Sequence, residues 1–312
     1  MKTSFKDFAE NAKDQINGKK DFGEEYTSLI NKSGFTRYFT NRLELKCWVD
    51  VEKEIKKILE CIDAFIKNIK HHANSSNNYL NDLDAYTKTV LVFMGMAEKD
   101  NRLTKICSEY YDKTYGIKEE KIIECMENQL NSFINCFEYY LDKIMPQISE
   151  TPEPIKKIME LDPQYVLSFN YTDTYAYYGI DKSRVTHVHG EIGNNNIVLG
   201  IDDDEIIGSN YLAFKKYYQV IQKENQRIDF GSIRKLLGFE GMWTFNVYYY
   251  GHSLDVTDAE LIHEIKNNSD KMKIFYYCEE DRNEKLKNII RVFGKRDALN
   301  YLERGVIELI QI

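Results

Sequence analysis

Apolar positions fall at two different periods along the chain. From Trp48 to Lys70, Val51, Ile55, Ile58, Leu59, Ile62, Phe65, Ile66 and Ile69 recur at three- and four-residue steps, which predicts an amphipathic helix. A second such stripe runs from Ile122 through Met126, Leu130, Phe133, Phe137 and Leu141 to Ile144. It is expected to stop before Pro146 and the TPEP turn at Thr151 to Pro154. Between the stripes, HHANSSNNYLN (His71 to Asn81) reads as a polar loop, and Leu83 to Met96 as another helix.

Beyond Pro154 the pattern changes to short β-rich runs: Tyr165 to Asn170, Arg184 to His189, Asn196 to Ile201, Phe245 to Gly251, Met272 to Cys278 and Val306 to Ile312. Helical segments such as Asp258 to Lys266 and Asn283 to Phe293 alternate with them. Near-continuous apolar strands interleaved with helices predict an α/β fold in which the six runs form one mainly parallel sheet. Trp48 to Met145 then forms a helical layer. The chain reads as a single domain over 1–312, with the helical layer at 45–150 and the α/β core at 160–312. In open parallel sheets ligands bind beyond the carboxyl ends of the strands. Polar residues gather at those ends: Asn170, His189-Gly190 and Gly251-His252-Ser253.

Composition narrows the function classes. With 312 residues, 43% of them hydrophobic, the chain can bury a sizeable core. A formal charge of -8 and the lack of a basic stripe disfavour bulk nucleic-acid binding. The start MKTSFKDFAEN has no apolar signal core, and the longest apolar stretch, Val90 to Ala97, is too short to cross a bilayer, so a cytoplasmic protein without membrane contact is expected. The six cysteines (Cys47, Cys61, Cys107, Cys125, Cys136, Cys278) contain no CxxC and mostly fall on apolar helical stripes, the pattern of core thiols and not of a thiolate zinc site.

Each polar motif has a plain reading when taken alone. Asn170 can cap the turn it begins. His187 and His189 would share a strand face, as metal ligands require, and Asp202, Asp203 and Asp204 offer oxygen ligands, yet paired histidines without metal are commoner. GHSLD is not a nucleophile elbow, since Asp255 stands where the second glycine is needed. Asp258 reads first as the N-cap of the helix that follows.

In combination, Asn170, His189-Gly190 and Gly251-His252-Ser253-Leu254 resemble the sirtuin-type NAD-binding fold. The set is more closely similar to the AbiH family of bacterial phage abortive-infection proteins, through FNYTDTY at Phe169 to Tyr175, HVHG at His187 to Gly190, VLGIDDD at Val198 to Asp204, GHSLDVTD at Gly251 to Asp258 and WVDVEKEI at Trp48 to Ile55. The resemblance implies a Rossmann-like, sirtuin-like core with a large helical insertion or layer. It also implies a site for NAD or a related nucleotide, and cleavage of the nicotinamide–ribose bond without a metal. His189 would be the general base on a ribose hydroxyl or water. Asn170 would orient the ribose or the attacking water. Gly190, Asp202, Gly251, His252, Ser253 and Asp258 would contact the nucleotide, with the Gly251 to Ser253 turn admitting a phosphate.

Two departures temper these implications. Sirtuin-type chains carry Asp two residues after the Asn, whereas here Thr172 occupies that place and Asp173 follows, which disfavours deacylase-like chemistry. AbiH-like chains open on a strand running into Gly-Asn-Gly-Phe-Asp just upstream of a segment like TSFKDF, and this sequence begins at MKTSFKDF. The sheet is therefore expected to lack its first strand, and NAD binding to be weak, unless the native start lies about twenty residues upstream. The expected role is an anti-phage effector that answers a phage or host trigger protein. The alternatives are a non-catalytic nucleotide-binding or interaction module and, third, a metal-dependent phosphoesterase.

Overall fold

The structure is a computed structural model that describes residues 5–42, 48–71, 80, 83–100, 103–112, 116–148, 153–201, 209–223, 230–231, 233 and 245–312. Its chain divides into two compact units, a mainly helical one (3–150 with 190–225) and an α/β one (151–189 with 226–312). Residues 190–225 thus pack with the helices, although they follow the first two strands of the α/β unit.

In the helical unit, α1 (Phe5–Ile16), α2 (Glu24–Lys32), α3 (Gly34–Phe39), α4 (Trp48–His71), α5 (Ala85–Phe93) and α6 (Glu119–Tyr139) bury their apolar stripes together. The Phe8 ring meets Phe133, Phe137 and Tyr140 at centroid distances of 5.9, 5.7 and 5.3 Å, so α1 is held on α6 by aromatic edges and faces. α5 starts where Asp84 accepts the Thr87 N–H at 2.9 Å. Two short antiparallel hairpins, β1 (Ala97–Asp100) with β2 (Leu103–Ile106) and β3 (Tyr111–Asp112) with β4 (Gly116–Ile117), lie within the stretch expected as a helical layer, between its second and third helices. Their sequences, AEKD and LTKI, show little apolar alternation and so gave no strand signal.

The buried stripe ends at Met145, before Pro146 as expected, but the helix does not. α6 passes into a π-helical turn at Tyr140–Ile144 and then α7 (Met145–Ile148), with the Met145 N–H bonded to Tyr140 O. The wider register carries the helix across a residue that has no N–H to donate. The core-thiol reading holds fully for Cys136 alone: Cys61, Cys107 and Cys125 are half-buried and Cys278 is exposed. Cys47 lies outside the described residues.

The α/β unit includes α8 (Lys156–Met159) and, among the described residues, two parallel sheets. β5 (Val166–Ser168) pairs with β6 (Val185–His187), Ser168 opposite His187. β7 (Phe245–Tyr249), β8 (Ser269–Tyr276) and β9 (Ile307–Gln311) lie in that order, connected by α10 (Ala259–Asn267) and α11 (Glu279–Glu303), which breaks at Gly294. Tyr249, Met272, Ile274 and Ile307 pack with Ile262 and Ile265 of α10 and Ile289, Val292 and Phe293 of α11. Each such aliphatic or aromatic side chain contributes about 1.5–3 kcal/mol when fully buried.

The expectation of one six-stranded sheet is corrected. Among the described residues five of the runs are strands, divided between two sheets, and Asn196 to Ile201 is not a strand. Ile197, Val198 and Leu199 are buried as their apolar character requires, but their backbone finds other partners. The Gln219 carboxamide, on α9 (Lys216–Gln222), accepts Leu199 N–H and donates to Leu199 O, both at 3.0 Å. Ile201 makes one isolated bridge to Lys215. Among the described residues no helix is long and apolar enough to cross a membrane.

One buried acid anchors the helical unit. Glu54, 1% exposed, accepts Tyr38 Oη at 2.6 Å and Arg42 Nη1 at 2.5 Å, with Lys57 at 3.3 Å. Burial would raise its carboxyl, but Tyr38, Arg42 and Lys57 together hold it below the usual range. Because the folded pKa is the lower one, this stabilisation is present above the unfolded value of about 4.3 and is lost as pH falls through the folded value. Glu54→Gln is expected to remove roughly 3 kcal/mol at neutral pH in urea unfolding and to flatten the acid limb of stability below about pH 4. An unchanged acid limb would show that the network carries no such coupling.

Candidate functional site

The site lies at the carboxyl ends of β5, β6 and β7. Val188 N–H donates to Ser168 O at 2.8 Å, so the pairing extends to the residues just before His189. Phe169 follows β5, and its ring lies 5.6 Å from that of His189 and 4.1 Å from that of His252. His252 is delivered by the turn after β7. There Gly251 (φ 69°) and Leu254 (φ 57°) both take left-handed backbone, which is ordinary for glycine and strained for leucine. The buried side chains of α11 hold the turn in place: Lys285 Nζ donates to His252 O at 3.0 Å and Asn288 Nδ2 to Ser253 O at 2.9 Å.

Asp258 joins the two histidines. Its Oδ1 is 3.1 Å from His189 Nε2 and its Oδ2 is 3.3 Å from His252 Nε2, with the three side chains 10–15% exposed. Asp258 stands at the N-cap position of α10, as expected, but its side chain makes no capping hydrogen bond there. That role passes to Asp255, buried and accepting the Thr257 N–H at 3.3 Å at the head of the preceding 3-10 turn. The Asp258 carboxylate is thereby turned toward the imidazoles.

The hydrogen bonds assign different roles to the histidines. His252 Nδ1 accepts the Leu254 N–H at 3.0 Å, so its proton sits on Nε2 and is donated to Asp258. His189 presents the same nitrogen, Nε2, to the other carboxylate oxygen. Its Nδ1 has no hydrogen-bond partner among the described residues, which leaves a lone pair for a ligand proton. Close by, Tyr249 packs 6.0 Å from the His252 ring, and its buried hydroxyl lacks a partner among the described residues. Burial and the Asp258 charge push that phenol well above its usual range, so it remains a donor.

The other sequence-selected residues stand apart from this contact. Asn170 is exposed; its Nδ2 donates to Thr174 Oγ1 at 3.2 Å and its carbonyl accepts His187 Nδ1 at 2.7 Å. His187 Nε2 lies 3.6 Å from Asp173 Oδ1, so His187 and His189 face different carboxylates and do not converge as a His-x-His metal pair. Ser253 contributes its carbonyl to Asn288. Asp202, with Asp203 and Asp204, lies outside the described residues, as do the side chains of Trp48 and Asp50. Phe169, Tyr249, Lys285 and Asn288 escaped sequence reasoning, because each reads alone as an ordinary core or helix-surface residue.

Parallel strands whose carboxyl ends carry a carboxylate-bridged histidine pair define an α/β protein with a candidate acid–base site. Residues 1–278 match the family described as Bacteriophage abortive infection AbiH, and the chain belongs to that family. It is thus a bacteriophage abortive-infection protein. Neither the curated proteins nor the solved structures compared with it gave a match.

Gly190, next to His189, has a steric reason of its own. At φ 86°, a Cβ there would come within 2.2 Å of Asn196 O and 2.8 Å of Asn196 Oδ1, the atom that accepts Glu191 N–H. Gly190→Ala is expected to lower stability by more than about 2 kcal/mol, read as a fall in Tm. A Tm equal to that of the parent would mean that this approach of Asn196 is not made in solution.

Proposed function

We propose that the chain is an abortive-infection effector that hydrolyses the nicotinamide–ribose bond of NAD, with His189 as general base. The observation that carries this reading is the Asp258-held imidazole at the strand ends, its Nδ1 free to take a proton. In the step proposed, the C–N bond breaks and its electron pair goes to the pyridinium nitrogen, which becomes neutral nicotinamide. A water oxygen bonds to the ribosyl carbon, and its proton goes to His189 Nδ1. Asp258 stabilises the resulting imidazolium, and His252, fixed by the Leu254 N–H, keeps the carboxylate aligned. Asn170, with Oδ1 still open to solvent, would orient the ribose or the water from the β5 end.

His189→Ala and Asp258→Asn should each lower nicotinamide release from NAD by about a hundredfold or more. Both should stay folded with a lowered Tm, since each removes a hydrogen bond of the Asp258 cluster but neither residue belongs to the apolar core. The same variants in a phage-challenge assay should lose protection. If protection survives both substitutions and the parent protein releases no nicotinamide, the non-catalytic nucleotide-binding or interaction module takes the place of this reading.

A further inference from the structure

Three tyrosines that the histidine cluster does not use stand at the same end of the strands. Tyr250 is the first residue after β7 and Tyr277 the first after β8; with Tyr249 opposite Ile274, Tyr277 lies two residues beyond the position facing Tyr250, a diagonal on one face that aromatic rings can span. Tyr178 closes the 3-10 turn Thr174–Tyr178 that follows Asn170. Its hydroxyl donates to Tyr250 Oη at 3.2 Å, with the rings 6.1 Å apart at 78°. The Tyr250 and Tyr277 rings are 6.3 Å apart at 58°. Tyr277 is 44% exposed and Tyr250 half-buried.

The fold does not need this row. The apolar core of the sheet is built on the alternate residues, Tyr249 and Ile274, which pack against α10 and α11. Burial raises the Tyr178 phenol to about 12 and the Tyr250 phenol above its usual value, so both stay protonated and the hydroxyl pair persists across ordinary pH.

The charge beside the row is negative. α11 opens two residues past Tyr277 with Glu279, Glu280 and Asp281, and Asp281 Oδ2 accepts the Tyr277 N–H at 2.9 Å. Asp281 is paired with Lys285 at 3.1 Å and Glu279 with Arg282 at 3.1 Å, which leaves the Glu280 charge without a basic partner among these contacts. Glu280, beside its ion-paired neighbours Glu279 and Asp281, and the paired acids themselves oppose a phosphate at that end. They suit a cation, and so do exposed tyrosine faces.

We infer that Tyr250 and Tyr277, with the acidic first turn of α11, form a stacking site for a planar cationic heteroaromatic ring of the N-substituted pyridinium class. The site rests on the proposed function only for its link to turnover: it would hold the charged nicotinamide end of NAD and release the ring once bond cleavage makes it neutral.

The test is binding of 1-methylnicotinamide, a cation, against neutral nicotinamide, titrated into the full chain and followed by tyrosine fluorescence. The cation should bind about threefold or more tighter than the neutral ring. Tyr277→Leu and Tyr250→Leu should remove that preference, Tyr277→Phe should keep it, and Glu280→Gln should weaken it without touching a ring. Equal binding of the two probes, no binding of the cation, or a Leu variant that binds like the parent overturns the inference. His189→Ala separates the two claims, because it should abolish NAD turnover and leave 1-methylnicotinamide binding intact. Tyrosine-dependent cation binding in a protein that does not turn NAD over would keep this site and remove the hydrolase reading. Turnover with an unchanged KM in Tyr277→Leu would keep the hydrolase and remove this site.

Discussion

The candidate site depends on one carboxylate having two imidazole partners. Asp258 is only 12% exposed by its side chain, and an ionised carboxylate so far from water needs donors in place. It receives them from His189, sixty-nine positions earlier, and His252, six positions earlier. A hydrogen bond to a charged group is worth about 1.5–3 kcal/mol, enough to set the mutual orientation of the β6 end and the β7 turn. The arrangement requires that Asp258 be released from helix capping, and Asp255 meets that requirement by capping the 3-10 turn that leads into α10.

The same turn contains the clearest backbone strain near the site. A left-handed leucine costs about 1–2 kcal/mol. At Leu254 that cost is offset by full burial of the side chain, 2% exposed in the core with α10 and α11, and by the N–H donated to His252 Nδ1. Lys285 and Asn288 then hold the two carbonyls of the turn. The strained residue is thus the one that decides which nitrogen of His252 carries the proton, and the α11 side chains keep the strain from relaxing.

Much of the fold was legible because periodicity reflects burial directly. The stripe from Val51 to Ile69 became α4, and five apolar runs became parallel strands. Burial does not say how a backbone is hydrogen-bonded, and the exceptions follow from that. Asn196 to Ile201 is as buried as a central strand, yet a glutamine side chain from α9 serves its peptide groups. The helix that α6 begins crosses Pro146 because a π-turn shifts the register, a geometry that no residue type announces. The hairpins of residues 97–117 were hidden by their polar composition, since short exposed ladders bury too little to leave an alternating pattern.

The site was legible as a place and not as a set of roles. Polar residues ending apolar runs mark the carboxyl edge of a parallel sheet whatever their chemistry, so Asn170, His189 and His252 could be singled out from sequence. Their roles turn on which nitrogen finds which partner. His187 spends Nδ1 on the Asn170 carbonyl and sets Nε2 toward Asp173; His252 spends Nδ1 on a peptide N–H and Nε2 on Asp258; His189 alone engages Nε2 and keeps Nδ1 open. Three histidines of identical intrinsic chemistry therefore have three different capacities, and the difference comes from backbone atoms and carboxylates brought close by the fold.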